Sequence, residues 1–157
     1  MAKKDIINFS GVKTFGVNTH FIVGPGGDNG PADVMLVQAL FRYIINFSGQ
    51  FIKMKSGLAG LDPTIVSGNC DAKTNLAIWR FQQANAQKLL SVDGQIHPAS
   101  YEGRVMKSDY SDYLDQMRAK PIMTITLLHI YAYFAEPARS GDYISGLVAI
   151  AQTLNRG

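Results

Sequence analysis

The sequence predicts a mainly α-helical fold with a small β-hairpin at its amino end. Its 157 residues are 46% hydrophobic and 17% charged, which is enough apolar material to bury a core within one domain. Apolar residues recur at intervals of three and four in several segments, as they do on the buried face of a helix. Stretches rich in glycine and proline separate these segments. We therefore expect a single domain over residues 1–157.

The β-hairpin is expected within residues 1–30. Residues 9–15 mark a first strand region, and residues 19–23 form a β-branched and aromatic run typical of a half-buried strand. Residues 24–31 then contain four glycines and two prolines, a composition that ends regular structure.

A first helix is predicted between residue 32 and Gly49. Its apolar side chains are spaced so that they share one face: Val34, Val37, Leu40, Phe41, Ile44 and Ile45. Either Asn29 or Asp33 is expected to cap its amino end, because their short polar side chains accept hydrogen bonds from the first free N–H groups of a helix.

Further helices are expected after a connection over residues 50–70, which includes a short strand at residues 51–54. The next helix is predicted over about residues 71–87 and buries one face: Thr74, Ala77, Ile78, Phe81 and Ala84. Residues 124–135 are compatible with a strand as well as a helix, and helical spacing favours the helix. A last amphipathic helix is expected over residues 143–154.

Two segments of the chain, 67–74 and 93–100, match each other in form. Each has a glycine, an apolar residue two positions later and a hydroxyl residue six positions later: Gly68, Cys70 and Thr74 in the first, Gly94, Ile96 and Ser100 in the second. Glycine supplies a positive φ for a turn, the apolar residue enters the core, and the hydroxyl serves the start of a helix.

The motifs at residues 34–40 (VMLVQAL), 74–82 (TNLAIWRFQ) and 92–100 (VDGQIHPAS) occur in an order that resembles the peptidoglycan-binding domain family. That family is a small three-helix module attached to many cell-wall hydrolases. The resemblance implies such a core over about residues 31–101, between the hairpin and loop of residues 1–30 and a helical extension over residues 102–157. The core residues of the motif are Val37, Leu40, Thr74, Ala77, Ile78 and Phe81.

The residue inventory favours a protein that is not an enzyme. The three histidines show no metal-binding spacing, and Glu102 and Glu136, the only glutamates, lack the paired arrangement that a glycosidase needs. Cys70 is expected as a structural thiol, and the loop over residues 24–31 lacks the Lys-Ser/Thr pair of a phosphate cradle. We expect no metal and no cofactor. A net charge of +3 is also too small to predict nucleic-acid binding.

Two groups of residues are candidates for binding. Trp79 lies about 100° around its helix from Ile78, so it either forms an exposed platform with Arg80 or packs under the connection of residues 49–70 or the carboxy-terminal extension. The resemblance implies that Trp79, Arg80, Asp93, Gly94 and Gln95 lie near a ligand groove. Separately, six of the seven tyrosines follow residue 100, which favours a protein partner for the carboxy-terminal region.

The function implied by the resemblance is non-catalytic binding of peptidoglycan or a muropeptide in the bacterial cell wall. The alternative is a structural or adaptor subunit that binds another protein in a secretion system or a phage-like contractile machine. The apolar run near the amino end is too short for a cleavable signal peptide, so we expect a protein that is cytoplasmic as synthesised and delivered to the envelope by a leaderless route. This expectation favours the alternative. No membrane insertion is expected.

Overall fold

The computed structural model describes residues 3–9, 12–62, 66–98, 105–106 and 121–134, and this part of the chain is mainly helical, as predicted. It contains four α-helices and a 3₁₀-helix: α1 Pro31–Phe47, α2 Gln50–Ser56, α3 Ala72–Ala84, the 3₁₀-helix Ala86–Lys88, and α4 Thr124–Phe134. None of the helices in these ranges is long and apolar enough to cross a membrane. The helix predicted over residues 143–154 lies outside the described residues.

Two strands precede the helices and a short third strand follows α3. Strand β1 Lys3–Phe9 pairs antiparallel with β2 Val12–Asn18, and β3 Val105–Met106 pairs parallel with the other edge of β1. These strands differ from the two expected, because residues 9–15, expected in one strand, contain the end of β1 and the start of β2. Residues 10–11, between β1 and β2, lie outside the described residues, so a closed β-hairpin is not shown.

The strand expected at residues 19–23 is wrong. The backbone N–H groups of His20 and Phe21 donate to the buried carboxylate of Asp33, at 2.9 and 3.0 Å, instead of pairing with a strand. Only Val23 forms a β-bridge, antiparallel with Ile96. Asp33 therefore fixes this segment against the start of α1.

Helix α1 begins without a side-chain cap, so neither predicted cap is correct. Gly30 is the N-cap residue, and Pro31 occupies the first helical position, where its missing N–H costs nothing. The side chain of Asn29 instead closes the glycine-rich loop: its Oδ1 accepts from Gly24 N at 2.7 Å and its Nδ2 donates to Gly24 O at 2.9 Å.

Helix α2 replaces the strand expected at residues 51–54. Ile52 is its only β-branched residue, and Lys53 and Lys55 lie in its last turn, where positive charge is favourable. Gly57 ends the helix with a left-handed φ of 76°. This glycine turns the chain toward α3.

Helix α3 begins at a capping aspartate and packs through one face. Asp71 Oδ1 accepts from Thr74 N at 2.9 Å and from Thr74 Oγ1 at 2.7 Å. The six motif residues are each at most 1% exposed: Val37, Leu40, Thr74, Ala77, Ile78 and Phe81. Ala84, expected to be buried, is exposed, because the α-helix ends there.

The core is centred on Phe81. Its ring makes edge-to-face contacts with Phe41 of α1, at 6.1 Å between ring centroids, and with Tyr131 of α4, at 5.6 Å. Helix α4, predicted over residues 124–135, is confirmed at residues 124–134. Its described side chains between residues 124 and 132 are almost all buried, so α4 is an inner helix of the fold.

Candidate functional site

Gln38 of α1 holds the first glycine turn. Its Oε1 accepts from the N–H groups of Ser67 and Gly68, at 2.9 and 3.0 Å, and Gly68 has a φ of 82°. Its Nε2 donates to Asn69 O at 2.8 Å and to Thr74 Oγ1 at 3.0 Å. One fully buried amide group thus joins α1, the turn and the start of α3.

Gln82 of α3 holds the second glycine turn in the same way. Its Oε1 accepts from Gly94 N at 2.7 Å, and its Nε2 donates to Gln95 O at 2.8 Å. The Nε2 also donates to the hydroxyl of Thr124, at 3.0 Å, which begins α4. Ser100, the hydroxyl expected here by analogy with Thr74, lies outside the described residues. The two turns predicted to match therefore share a glutamine contact as well as a glycine.

The polar groups of the Asp93–Gln95 turn are largely engaged within the protein. Asp93 Oδ1 accepts from Gln95 N at 2.9 Å, and Asp93 Oδ2 lies 2.8 Å from His97 Nε2. Gln95 Nε2 donates to Pro25 O at 2.7 Å. Burial raises the pKa of Asp93, but hydrogen bonds from His97, Gln95 N–H and Ser91 lower it more, so this pKa lies below its ordinary value. The turn is a fixed and anionic corner of the surface.

Trp79 lies on the outer face of α3, with 56% of its surface exposed. Leu76, one turn earlier, is 46% exposed, and Gln82 follows three positions later, so Trp79 is placed between an apolar neighbour and the residue that holds the second turn. Arg80 is half-buried, and its Nη2 donates to Ala59 O at 3.2 Å. Of the two alternatives for Trp79, the described residues favour the exposed platform.

An open pocket of about 170 Å³ lies beside this face of α3. It is formed by the segment after α2 and the first half of α3, and its lining residues are Gly60, Leu61, Asp62, Lys73, Leu76 and Ala77. Leu76 contributes to the pocket and also neighbours Trp79. We call Leu76, Trp79 and this pocket together the α3 surface.

Comparison with models of protein families, with curated proteins and with solved structures finds no match for this chain. The chemistry of the α3 surface is therefore what bears on function. It combines an exposed aromatic ring, a small apolar pocket and nearby charged side chains.

Two other residues considered in the sequence, Cys70 and Tyr131, are engaged within the fold. Cys70 is half-buried, its Sγ lies 3.1 Å from Asn75 Oδ1, and burial raises its pKa, which disfavours the reactive thiolate. Tyr131, one of the tyrosines expected at a protein interface, is fully buried and donates to Asn85 Oδ1 at 2.7 Å. The side chains of the other tyrosines after residue 100 lie outside the described part of the chain.

Gln38 and Gln82 are the residues that inspection of the sequence did not single out. Each lies in one of the helical motifs, directly after Val37 and Phe81. A glutamine on an otherwise apolar helix face is a signal of a buried hydrogen-bonding role, because a buried amide must find partners.

Proposed function

We propose that this chain is a non-catalytic module that binds bacterial cell-wall peptidoglycan. In this proposal residues 31–101 form a core like that of the peptidoglycan-binding domain family, with a β-hairpin before it and a helical extension after it. The observation that carries the proposal is the 56% exposure of Trp79 on the helix whose opposite face packs the motif residues.

An exposed indole is suited to a saccharide. Sugar rings present apolar C–H faces that pack on an aromatic ring, and Leu76 extends the apolar surface beside Trp79. Arg80 donates one hydrogen bond to Ala59 O, and a guanidinium group has five N–H donors in all. The remaining donors can bind a muropeptide carboxylate. The turn formed by Asp93, Gly94 and Gln95 is a fixed edge of the proposed binding site, and it does not move to contact the ligand.

A sacculus-binding assay tests the proposal. We expect the chain to sediment with purified peptidoglycan and Trp79→Ala to bind about three- to tenfold more weakly, since an aromatic contact contributes about 0.5–1.5 kcal/mol. Phe21→Ala is the matched control, because Phe21 is 51% exposed but lies before α1. Equal binding by the wild type and Trp79→Ala would contradict the role given to Trp79.

A second candidate is an adaptor that binds another protein in a secretion or phage-like machine. The favouring observation is that α2 exposes Phe51 and Met54, at 61% and 65%, while Leu90 and Val92 are exposed before the second turn. Aromatic residues and methionine are enriched at protein interfaces. Absence of sedimentation with sacculi, together with a defined oligomer or complex on a sizing column, would support this candidate.

A further inference from the structure

The pocket of the α3 surface has an apolar interior and a charged rim. Ala77 is buried at its base, while Leu61 and Leu76 form apolar walls. Asp62 and Lys73 are exposed and bring opposite charges to its edge. Within the described part of the chain, neither Asp62 nor Lys73 forms an ion pair, although the charge of Lys73 is near enough to Asp71 to help lower the pKa of that carboxyl.

Lys73 occupies a position that costs the helix stability. It lies in the first turn of α3, where the helix dipole is already positive and a basic side chain is unfavourable. The same arrangement attracts an incoming carboxylate. Asp71, the nearest acidic residue in sequence, is already engaged by two hydrogen bonds from Thr74.

We propose that this pocket receives the stem peptide of peptidoglycan. A peptide carboxylate would pair with Lys73, an amino group with Asp62, and a small aliphatic side chain would lie between Leu61 and Leu76. A volume of about 170 Å³ is well above what a single water needs, so the pocket has room for a small side chain. This inference rests on the proposed function and adds a separate peptide site, in the pocket, to the carboxylate contact given to Arg80.

The pocket and Trp79 are placed to act on one ligand. Leu76 forms a wall of the pocket, and Trp79 is three positions further along α3, one helical turn away. A glycan strand on Trp79 would thus have its peptide branch beside Leu76. The bound polymer would contact the aromatic ring and the charged rim together.

The test compares two substrates and a set of charge variants. Intact sacculi are compared with glycan strands from which an amidase has removed the peptides, and soluble muropeptides are titrated while the methyl signals of Leu76 and Ala77 are followed by NMR. We expect Lys73→Gln to weaken binding to sacculi by about two- to fivefold, the range of an exposed ion pair, with recovery in Lys73→Arg. Lys55→Gln, which removes the same charge from α2, should bind as the wild type does.

Each result decides the proposal. The proposal is supported if Lys73→Gln weakens binding to intact sacculi but does not change binding to peptide-free glycan strands. If Trp79→Ala weakens binding to sacculi while Lys73→Gln does not, the peptide pocket is refuted and the proposed function stands. If the chain does not bind sacculi and muropeptides do not shift the Leu76 and Ala77 signals, both the peptide pocket and the proposed function are refuted.

Discussion

Gln82 fixes the second turn through one side chain. It is 1% exposed, and its amide satisfies the N–H of Gly94, the C=O of Gln95 and the hydroxyl of Thr124. Buried polar groups that lose a partner cost far more than the net value of the bond they made. The position of the turn beside the α3 surface therefore depends on this glutamine.

Gln82→Leu should lower the free energy of unfolding by about 2–4 kcal/mol, because the buried hydroxyl of Thr124 and the partly buried backbone groups of Gly94 and Gln95 lose this partner. Gln83→Leu is the control, since Gln83 is exposed and the chemical change is identical. We expect Gln83→Leu to change stability by about 0.5 kcal/mol or less. Urea denaturation of both variants measures the difference, and equal losses would show that the turn does not depend on Gln82.

The residue types at the candidate site were predictable, but their partners were not. The phase of α3 separates Trp79 from the buried face, and the structure places Trp79 outward and Phe81 inward. The contacts of Gln82 join residues 12 and 42 positions apart, at the second turn and α4. Local spacing carries no information about such distant partners, so the contact between Gln82 and Thr124 could not be predicted.

At the scale of secondary-structure elements, the length of a helix decides whether it can be predicted from the sequence. Helices α1 and α3 have 17 and 13 residues, long enough for apolar periodicity to identify them. Helix α2 has seven residues and exposes Phe51 and Met54, so no apolar face distinguishes it from a strand. The segment over residues 19–23 has the composition of a strand, but the backbone N–H groups of His20 and Phe21 donate to Asp33 instead of to a neighbouring strand.

The junction between α2 and α3 depends on the absence of a side chain at Gly57. A Cβ there would lie 2.6 Å from Arg80 O and 2.7 Å from the Cβ of Ala84, and the φ of Gly57 is 76°. We expect Gly57→Ala to destabilise the fold by about 2–4 kcal/mol through strain and overpacking together. Thermal denaturation followed by circular dichroism measures the loss.

Gly60→Ala is the matched control for this junction. Gly60 has a similar φ of 81°, but nothing lies within 4 Å of a Cβ placed there. It should lose only the cost of a left-handed backbone, about 1 kcal/mol. A loss in Gly60→Ala as large as in Gly57→Ala would mean that close packing on α3 contributes nothing.

At the scale of the molecule, the core extends beyond the segment that carries the resemblance. Tyr131 of α4 packs on Phe81 and hydrogen-bonds to Asn85, and Thr124 binds Gln82. Phe81 and Gln82 of α3, and Asn85 directly after it, thus have partners in a helix that begins after residue 120. We therefore expect the motif-bearing core and α4 to fold as one unit.

A fragment of residues 31–101 should therefore fail to fold cooperatively. Removing α4 exposes Phe81 and removes the hydrogen bonds that join Tyr131 to Asn85 and Gln82 to Thr124, a larger loss than a marginally stable domain tolerates. The measurement is a two-dimensional NMR spectrum and a urea transition of the fragment beside the full chain. A dispersed spectrum and a sharp transition for the fragment would show that α4 is dispensable.

Buried His129 should make the stability of the whole molecule depend on pH. Burial lowers its pKa to about 4, whereas an unfolded histidine titrates near 6.5. Between these values the unfolded chain binds the proton and the folded chain does not, so stability present above pH ~6.5 is lost as the pH falls toward 4. The full loss is on the order of 3 kcal/mol, at about 1.4 kcal/mol per pKa unit.

Urea denaturation at several values between pH 7.5 and 4.5 measures this dependence. Asp71 and Asp93 do not obscure it, because hydrogen bonds hold the pKa of each below its ordinary value and thus below this range. His129→Gln, which keeps a polar group but cannot titrate, should flatten the curve, while Gln83→Leu, which changes an exposed group that does not titrate, should leave it unchanged. If His129→Gln keeps the wild-type slope, the proton is taken up elsewhere and His129 is not the group that destabilises the fold in acid.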